Sequence, residues 1–210
     1  MSPFFCTIMT NTPRLILASG SPRRRLLLKQ IGLTFTVKPS SIIERFSSHE
    51  TPAQNVRRIA LEKAKDVATG VRSGIVIGAD TVVVIGSRIL GKPGTRREAV
   101  AMLRKLSGRK HVVHTGFALV DARSGVWMTD GVKTEVFFRK LAEREIREYV
   151  SSGSPLDKAG AYGIQDDYGA VFVEKVNGCF YNVVGFPLER FFRRFREFNE
   201  SVHRNGKEDN

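Results

Sequence analysis

The chain has few cysteines and no long apolar segment, and these shortages exclude several classes of protein. Only two cysteines, Cys6 and Cys179, occur in 210 residues. They are too few for a disulfide framework or a zinc site and fit a reducing compartment. No apolar run approaches the roughly 20 residues that a transmembrane helix needs. Residues 1–13 contain no lysine or arginine and make a poor targeting peptide. We therefore expect a cytoplasmic protein with no membrane partner.

Carboxylates are absent from residues 1–43, which contain six lysines and arginines, and Glu44 is the first acid. The net charge of the whole chain is +13, a value that is also compatible with a nucleic-acid binder, whose duplex binding would weaken steeply with salt. The later segments mix both signs, however, and carry no zinc finger, RNP motif or basic zipper. The basic stretch at residues 190–196 is interleaved with phenylalanines, as in a helix that packs on a core. We therefore expect no nucleic-acid partner.

Alternating strand and helix patterns predict one domain of the α/β class. We place it at residues 14–200, between a loose N-terminal extension (1–13) and a polar C-terminal tail (201–210). Strands are predicted at residues 14–18, 34–38, 74–85 (with an interruption at 78–81), 111–121, 126–129, 133–138, 171–175 and 179–184. Helices are predicted at residues 22–31, 52–68, 95–107 and 141–150, and from residue 187 onward.

The first predicted helix begins in an unusual way. Ser21 is placed as its N-cap and Pro22 as its first residue, and Arg23, Arg24 and Arg25 follow at once. A helix N-terminus already presents free N–H groups and a positive dipole end, so arginines there are unfavourable for the helix alone. The pattern predicts an anion site, with phosphate as the expected ligand. The alternative is a solvated basic first turn.

Lys63 interrupts an apolar stripe. It lies seven residues after Val56 and four after Ile59, so at about 100° per residue it points with them toward the core. An inward lysine needs an anionic partner, or its stem extends along the apolar surface until the ammonium reaches water. We interpret Lys63 as a phosphate ligand facing a cleft.

Asp80 interrupts the apolar run of residues 75–85. A buried aspartate has to bind a cation, accept several hydrogen bonds or titrate at a raised pKa. In such a position it could hold a metal ion or activate a water molecule. The alternative is a turn aspartate between two shorter strands, which Gly78 would permit.

Two loops carry further candidates. Lys92 lies in the rigid run Leu-Gly-Lys-Pro-Gly, and Lys158 precedes Gln165, whose amide could read a base edge by paired hydrogen bonds.

His111 and His114 are three residues apart in a predicted strand and therefore face opposite sides, which argues against a shared metal ion. The chain has no Walker A motif and no Gly-x-Ser-x-Gly motif.

These segments together resemble the Maf family of nucleoside triphosphate pyrophosphatases. The resemblance covers about residues 14–192 and consists of short runs in the family's order. They are residues 18–24 (ASGSPRR), 62–64 (EKA), 78–81 (GADT), 91–93 (GKP), 106–108 (LSG), 114–116 (HTG), 157–165 (DKAGAYGIQ) and 183–188 (VVGFPL).

The resemblance implies an elongated α/β fold with a mixed, strongly curved sheet, flanking helices and a deep cleft between two lobes. It implies hydrolysis of a nucleoside triphosphate to the monophosphate and pyrophosphate, a divalent cation (Mg²⁺, Mn²⁺ or Co²⁺) and a homodimer. Asp80 matches the family's proton acceptor. Arg24, Thr81 and Gln165 match positions that set base preference, and the run Ala-Asp-Thr resembles the dTTP/UTP branch more than the 7-methyl-GTP branch.

Residue patterns and resemblance combine into one hypothesis about the site. Ser19, Arg23, Arg24, Lys63 and Lys92 clamp the triphosphate with Lys158 nearby, Glu44 and Asp80 hold the cation, and Thr81 and Gln165 meet the base. The chain departs from the family's pattern at Ile43, Ser154 and Asp166. The alternatives are a pyrophosphatase for 7-methyl-GTP or non-standard nucleotides, and a nucleotide-binding regulator of septum formation with little catalysis.

Overall fold

A computed structural model describes residues 13–165 and 168–208 of the chain. Most of the expected N-terminal extension, residues 1–12, and the departure at Asp166 lie outside these residues. The helices are α1 (Pro22–Gln30), α2 (Pro52–Ala68), α3 (Arg96–Leu106), α4 (Glu143–Ser151), α5 (Phe180–Val184) and α6 (Leu188–Glu208). The strands are β1 (Leu15–Leu17), β2 (Thr36–Val37), β3 (Ile75–Ile85), β4 (Arg88–Leu90), β5 (Lys110–Asp121), β6 (Trp127–Phe138) and β7 (Val173–Asn177), and 3₁₀ turns lie at Ser154–Asp157, Ala159–Ala161 and Tyr168–Phe172.

The seven strands form one mixed sheet in the order β2-β1-β3-β5-β6-β7, with β4 also paired to β3. β1 runs parallel to both β2 and β3, and the remaining pairs are antiparallel. The predicted α/β class with a mixed sheet and flanking helices is confirmed. No helix of the described part of the chain is both long and apolar enough to cross a membrane.

Strand β3 is continuous through Asp80, so the alternative of a turn between two shorter strands is wrong. On one edge it pairs with β5 along its length. On the other edge it pairs with β1 at Ile75–Ile77 and with β4 at Val83–Ile85. Among the described residues, no strand pairs with residues 78–82 on that edge. We call this opening in the sheet the β3 gap.

The two faces of the sheet are covered by different helices. Apolar residues of α2 pack on one face against Val76 and Ala118, while the larger core on the other face includes Ile77, Phe117 and residues of α1, α3, α4 and α6. Because side chains alternate along a strand, Asp80 faces α2 and Thr81 faces the opposite side. Both side chains therefore reach the β3 gap from different faces of the sheet.

Two glycines let α2 lie close to the sheet. A Cβ atom on Gly78 would lie 2.0 Å from the Ala60 carbonyl oxygen, and one on Gly116 would lie 2.6 Å from the Val56 carbonyl group. Any other residue at these positions would push the helix away. The close approach is what places Lys63 of α2 against Asp80 of β3.

The predicted strand at residues 179–184 is wrong, because residues 180–184 form helix α5. The side-chain amide of Asn182 donates to the Val113 carbonyl oxygen at 3.0 Å and to Thr134 Oγ1 at 2.9 Å. Gly185 then ends the helix with a φ of 120°. These contacts reach distant strands, so they override the local β preference of Val183 and Val184.

Strand β6 and helix α6 also differ from the expected pattern. The two short strands expected at 126–129 and 133–138 are one continuous strand, β6, in which Gly131 lies opposite Gly116 of β5. Helix α6 continues to Glu208, beyond the domain boundary expected at residue 200. Its buried Phe191, Phe195 and Phe198 lie on the core side, as the interleaved pattern predicted.

Candidate active site

A cleft of about 510 Å³ lies at the β3 gap, where β1 ends and α1 begins. Its lining comes from the turn before α1, the connection between β2 and α2, strand β3, and the loops after β4 and α4. The structure brings all ten predicted site residues to this one cleft: Ser19, Arg23, Arg24, Glu44, Lys63, Asp80, Thr81, Lys92, Lys158 and Gln165.

The start of α1 forms one wall of the cleft. Ser21 caps the helix as predicted, accepting from the Arg24 backbone N–H at 3.5 Å, and Pro22 is in the first turn. The Arg24 guanidinium donates to Ser19 Oγ at 3.1 Å, Thr81 Oγ1 at 3.0 Å and the Gly185 carbonyl oxygen at 3.1 Å. Burial lowers the pKa of Arg24, although Asp80 and Glu44 oppose the shift. Arg24 therefore joins the turn before α1 to strand β3 and to the end of α5, and it still lines the cleft.

Lys63 is the centre of the opposite wall. Its ammonium lies 2.8 Å from Asp80 Oδ1 and 2.6 Å from Glu44 Oε1, and only 8% of the residue is exposed. The predicted inward orientation and the need for an anionic partner are confirmed. One buried cation thus draws two carboxylates together at the β3 gap.

The two carboxylates have different environments. Asp80 is 4% exposed, and its burial raises its pKa despite the nearby ammonium of Lys63. Its second oxygen, Oδ2, is buried and accepts no hydrogen bond from the described residues. For Glu44, burial favours the neutral form, but the hydrogen bond and charge of Lys63, with Lys92 and Arg24, lower its pKa. The site therefore holds one carboxylate with a raised pKa beside one whose pKa is lowered.

The connection that carries Glu44, residues 38–51, is fastened to α2 on both sides of Glu44. Asp66 accepts from Ser40 Oγ at 2.8 Å and from the Ser41 backbone N–H at 3.0 Å. Farther along, Arg58 donates to the Arg45 carbonyl oxygen at 2.9 Å. We call residues 38–51 the Glu44 loop. The sequence reasoning missed these anchors, because single polar residues on an exposed helix face carry no distinctive pattern.

The loop after α4 forms the third wall. Lys158 is buried, and its ammonium donates to the Ser154 carbonyl oxygen at 2.7 Å and to Asp157 Oδ1 at 2.8 Å. Arg23 donates to Asp157 Oδ2 at 2.9 Å. Asp157 was not predicted as a site residue, and its only sequence signal is its place beside Lys158. Lys92 and Gln165 line the cleft as exposed side chains.

A chain of buried hydroxyl and amide groups supports Thr81 from behind. Thr81 Oγ1 lies 3.0 Å from Thr115 Oγ1, which donates to the Asn182 carbonyl oxygen at 3.0 Å. Through Asn182 and α5 the chain reaches Gly185, an acceptor of Arg24. Nothing local in the sequence indicates this chain, because its members lie far apart along the polypeptide.

His111 and His114 play different structural roles. Nε2 of His111 lies 2.8 Å from the Tyr162 hydroxyl inside the core, and burial lowers the pKa of His111 to about 4. His114 is only partly buried. Burial and the charge of Lys133 also lower its pKa.

The carboxylates at the β3 gap are the oxygen donors available to a divalent cation. The described residues contain no group of three or more histidine, cysteine, aspartate or glutamate side chains suited to a metal. Glu44 and Asp80 nevertheless contact one ammonium, and Asp80 Oδ2 is a buried oxygen that has no donor among the residues the structure describes. Mg²⁺ is typically held by one or two carboxylates together with substrate phosphates, so this pair fits such an ion.

Comparison with known proteins agrees with the motifs. The family profile described as Maf-like protein matches residues 14–198. A dTTP/UTP pyrophosphatase of Pelotomaculum thermopropionicum is 47% identical over 188 residues, which cover 90% of this chain and 98% of that protein. The dTTP/UTP pyrophosphatase of Moorella thermoacetica is 50% identical over 83% of this chain and 90% of its own length. A dTTP/UTP pyrophosphatase of Bacillus cereus is 44% identical over 91% of this chain and 93% of its own length. With its mixed sheet and its cleft at the β3 gap, the chain belongs to the Maf-like protein family.

Proposed function

We propose that this protein is a nucleoside triphosphate pyrophosphatase that hydrolyses dTTP and UTP to the monophosphate and pyrophosphate. The observation that carries the proposal is the β3 gap, where a basic helix start faces Asp80 and Glu44 across one cleft. Positive groups bind a triphosphate, and carboxylates beside them are suited to activating water. The names of the relatives support the same reaction.

The cations divide the work of binding the triphosphate. Arg23 and Arg24 lie at the N-terminus of α1, where free N–H groups add to their charge. Lys92 and Lys158 approach from the loops after β4 and α4. Fixed positive charges of this kind offset the charge that develops on the leaving pyrophosphate.

Asp80 is the proposed base. Its raised pKa makes its carboxylate a stronger base than an ordinary aspartate, and Lys63 fixes one of its oxygens. The other oxygen, Oδ2, is the acceptor for a proton of the attacking water. The water oxygen bonds to the α-phosphorus, the bond from that phosphorus to the bridging oxygen breaks, and pyrophosphate leaves.

Glu44 and Asp80 would hold the divalent cation, Mg²⁺, Mn²⁺ or Co²⁺. A bound cation of this kind neutralises phosphate charge and lowers the pKa of a coordinated water. We expect the activity to disappear when EDTA removes divalent ions and to return when they are added in excess. Hydrolysis of dTTP that persists in EDTA would contradict this part of the proposal.

Base preference is assigned to Arg24, Thr81 and Gln165. The Thr81 hydroxyl is held by Arg24 and Thr115, so its orientation is defined before a base arrives. Gln165 is exposed at the cleft and offers both a donor and an acceptor to a pyrimidine edge. The Ala-Asp-Thr run shared with the dTTP/UTP branch supports the same substrates.

We further propose a cytoplasmic homodimer without a nucleic-acid partner. Helices α1 and α5 meet where Gln30 donates to the Tyr181 hydroxyl at 3.2 Å, and each exposes an apolar side chain, Leu26 and Phe180. That surface and the family resemblance support a dimer, which light scattering of the purified protein would test. Several surface arginines are paired with carboxylates, Arg147 with Glu143 for example, which leaves less free positive charge for a nucleic acid.

The decisive test measures pyrophosphate release by the wild type and by Asp80→Asn from dTTP, UTP, CTP, dGTP and 7-methyl-GTP. Loss of a general base should lower kcat on dTTP by about 10²-fold or more. Asp121→Asn is the matched control, because Asp121 is also a buried strand aspartate but accepts from Ser124 outside the cleft. An Asp80→Asn variant with wild-type kcat would overturn the mechanism. A preference for 7-methyl-GTP would contradict the assignment of dTTP and UTP as substrates. Absence of hydrolysis of every nucleotide tested would contradict the assignment of the protein as a pyrophosphatase.

A further inference from the structure

A carboxylate stands within the wall that binds phosphate. Asp157 lines the cleft and contacts two of its cations, Arg23 Nη1 at 2.9 Å and Lys158 Nζ at 2.8 Å. A negative group here repels the triphosphate and occupies donors that the phosphates need. The carboxylate of Asp157 has no part in activating water or in holding the divalent ion, since both of these roles are assigned to Asp80 and Glu44.

The two cations keep other contacts that do not depend on the Asp157 side chain. Lys158 also donates to the Ser154 carbonyl oxygen and to Ser154 Oγ at 3.0 Å. Arg23 also donates to the backbone carbonyl oxygen of Asp157 at 3.2 Å. Both cations can therefore stay in place while the carboxylate moves away.

The Asp157 carboxylate is the most exposed member of this group. Its side chain is 57% exposed, whereas that of Arg23 is 17% exposed and that of Lys158 is 8% exposed. Exposed ion pairs contribute little net stability, so separating this carboxylate from its partners is easy. It is the last residue of the 3₁₀ turn Ser154–Asp157 and directly precedes Lys158, which keeps it close enough to return.

We propose that Asp157 competes with phosphate for Arg23 and Lys158, holding them in the empty cleft and displacing pyrophosphate after hydrolysis. The inference deepens the proposed function and rests on it for the identity of the product. Asp157 is thus a positioning residue that weakens product binding. Removing its charge should strengthen the binding of pyrophosphate and slow its release.

The experiment measures the dissociation constant of inorganic pyrophosphate by calorimetry for the wild type and Asp157→Asn, in EDTA so that only protein groups bind. The asparagine variant should bind pyrophosphate about fivefold more tightly, the scale of one partly exposed ion pair. When dTTP is hydrolysed, the inhibition constant of pyrophosphate should fall by a similar factor. If release of pyrophosphate limits the rate, kcat should fall as well. Asp157→Ser removes the same charge with a smaller side chain and should shift binding in the same direction.

Glu143→Gln is the matched control. Glu143 also pairs with two arginines, Arg104 and Arg147, and its replacement changes the net charge equally, but it lies on α4 outside the described cleft lining. It should leave pyrophosphate binding at the wild-type value. Unchanged or weaker binding by Asp157→Asn and Asp157→Ser would overturn the proposal. The calorimetric result needs no turnover, so a failure of the proposed enzyme activity would be seen separately as an absence of dTTP hydrolysis.

Discussion

The ammonium of Lys63 lies 2.8 Å from Asp80 Oδ1 and 2.6 Å from Glu44 Oε1, with little access to water. Burying these charges is unfavourable for each group alone, and the contacts between them offset that penalty. The arrangement leaves Asp80 with a raised pKa. Burial therefore makes Asp80 a stronger base, while Lys63 keeps its charge paired. Perturbed carboxylates of this kind are common at functional sites.

His111 makes folding stability dependent on pH. Burial lowers its pKa to about 4, so the folded state stays neutral while the unfolded state, with a pKa of 6.5, takes up a proton. The stability that the neutral form contributes is therefore fully present above pH 6.5, and it is lost as the pH falls from 6.5 toward 4. Between pH 7 and pH 5 we expect the free energy of unfolding to drop by about 2 kcal/mol through this residue.

Urea unfolding of the wild type and His111→Gln at both pH values checks this expectation. The variant should lose the drop of about 2 kcal/mol that belongs to His111, because glutamine has no proton to gain, while the share of His114, whose pKa is also lowered, remains. His49→Gln, at an exposed position before α2, is the control and should keep the wild-type drop. Equal pH dependence in the wild type and His111→Gln would refute the assignment.

At the scale of elements, α2 organises the acidic half of the site. It carries Lys63 on its buried face, and Asp66 and Arg58 anchor the Glu44 loop from its other positions. A single helix thus fixes Glu44 relative to Asp80. Its approach to the sheet depends on Gly78 and Gly116.

Replacing Asp66 should disturb Glu44 without touching the cleft. Asp66→Ala removes the acceptor for Ser40 and Ser41 and frees the start of the Glu44 loop. We expect kcat on dTTP to fall about tenfold and the divalent-ion concentration for half-maximal activity to rise, as for other supports of metal-ligating groups. The control is Lys65→Ala on the same helix, whose ammonium stacks over Trp127. Wild-type ion dependence in Asp66→Ala would show that the anchor is dispensable.

Gly78→Ala should destabilise the fold and separate α2 from β3. The added methyl group would lie 2.0 Å from the Ala60 carbonyl oxygen, which belongs to the helix backbone and cannot rotate away. Overpacking of this kind typically reduces the free energy of unfolding by about 1–3 kcal/mol. Thermal or urea unfolding measures it, with Gly94→Ala as the control, since the nearest atom there is a flexible Glu98 oxygen at 3.5 Å. Equal stability of the two variants would contradict the close approach.

At the scale of the whole molecule, the net charge of +13 acts on the substrate before it binds. A positive field attracts a nucleoside triphosphate, and salt screens that attraction. We expect kcat/KM for dTTP to fall by roughly fivefold to tenfold between about 20 mM and 200 mM salt, while kcat changes little. Steady-state kinetics at fixed divalent-ion concentration measures both. A kcat/KM independent of salt would mean that the charge does not steer the substrate.

Prediction from the sequence succeeded where a local pattern carries the information. The N-cap at Ser21 and the inward position of Lys63 each break or punctuate a short repeating pattern. The interruption expected at residues 78–81 is wrong, because β3 is continuous there. Helix α5 was predicted as a strand, because Asn182 anchors it to Val113 and Thr134, which are remote in the chain. Asp157 and Asp66 were overlooked for a similar reason, since a polar residue on a loop or a helix surface has no distinctive period.

The amino-acid sequence by itself determined the alternation of strands and helices, the basic start of α1 and the family motifs, because all of these depend on neighbours along the chain. Only the tertiary structure decided that, within the described part of the chain, β1 and β4 leave residues 78–82 of β3 without a strand on one edge. It alone also decided that Asp157 pairs with Arg23, 134 residues away. Such contacts arise from the packing of distant segments, whose energies no short stretch of sequence contains.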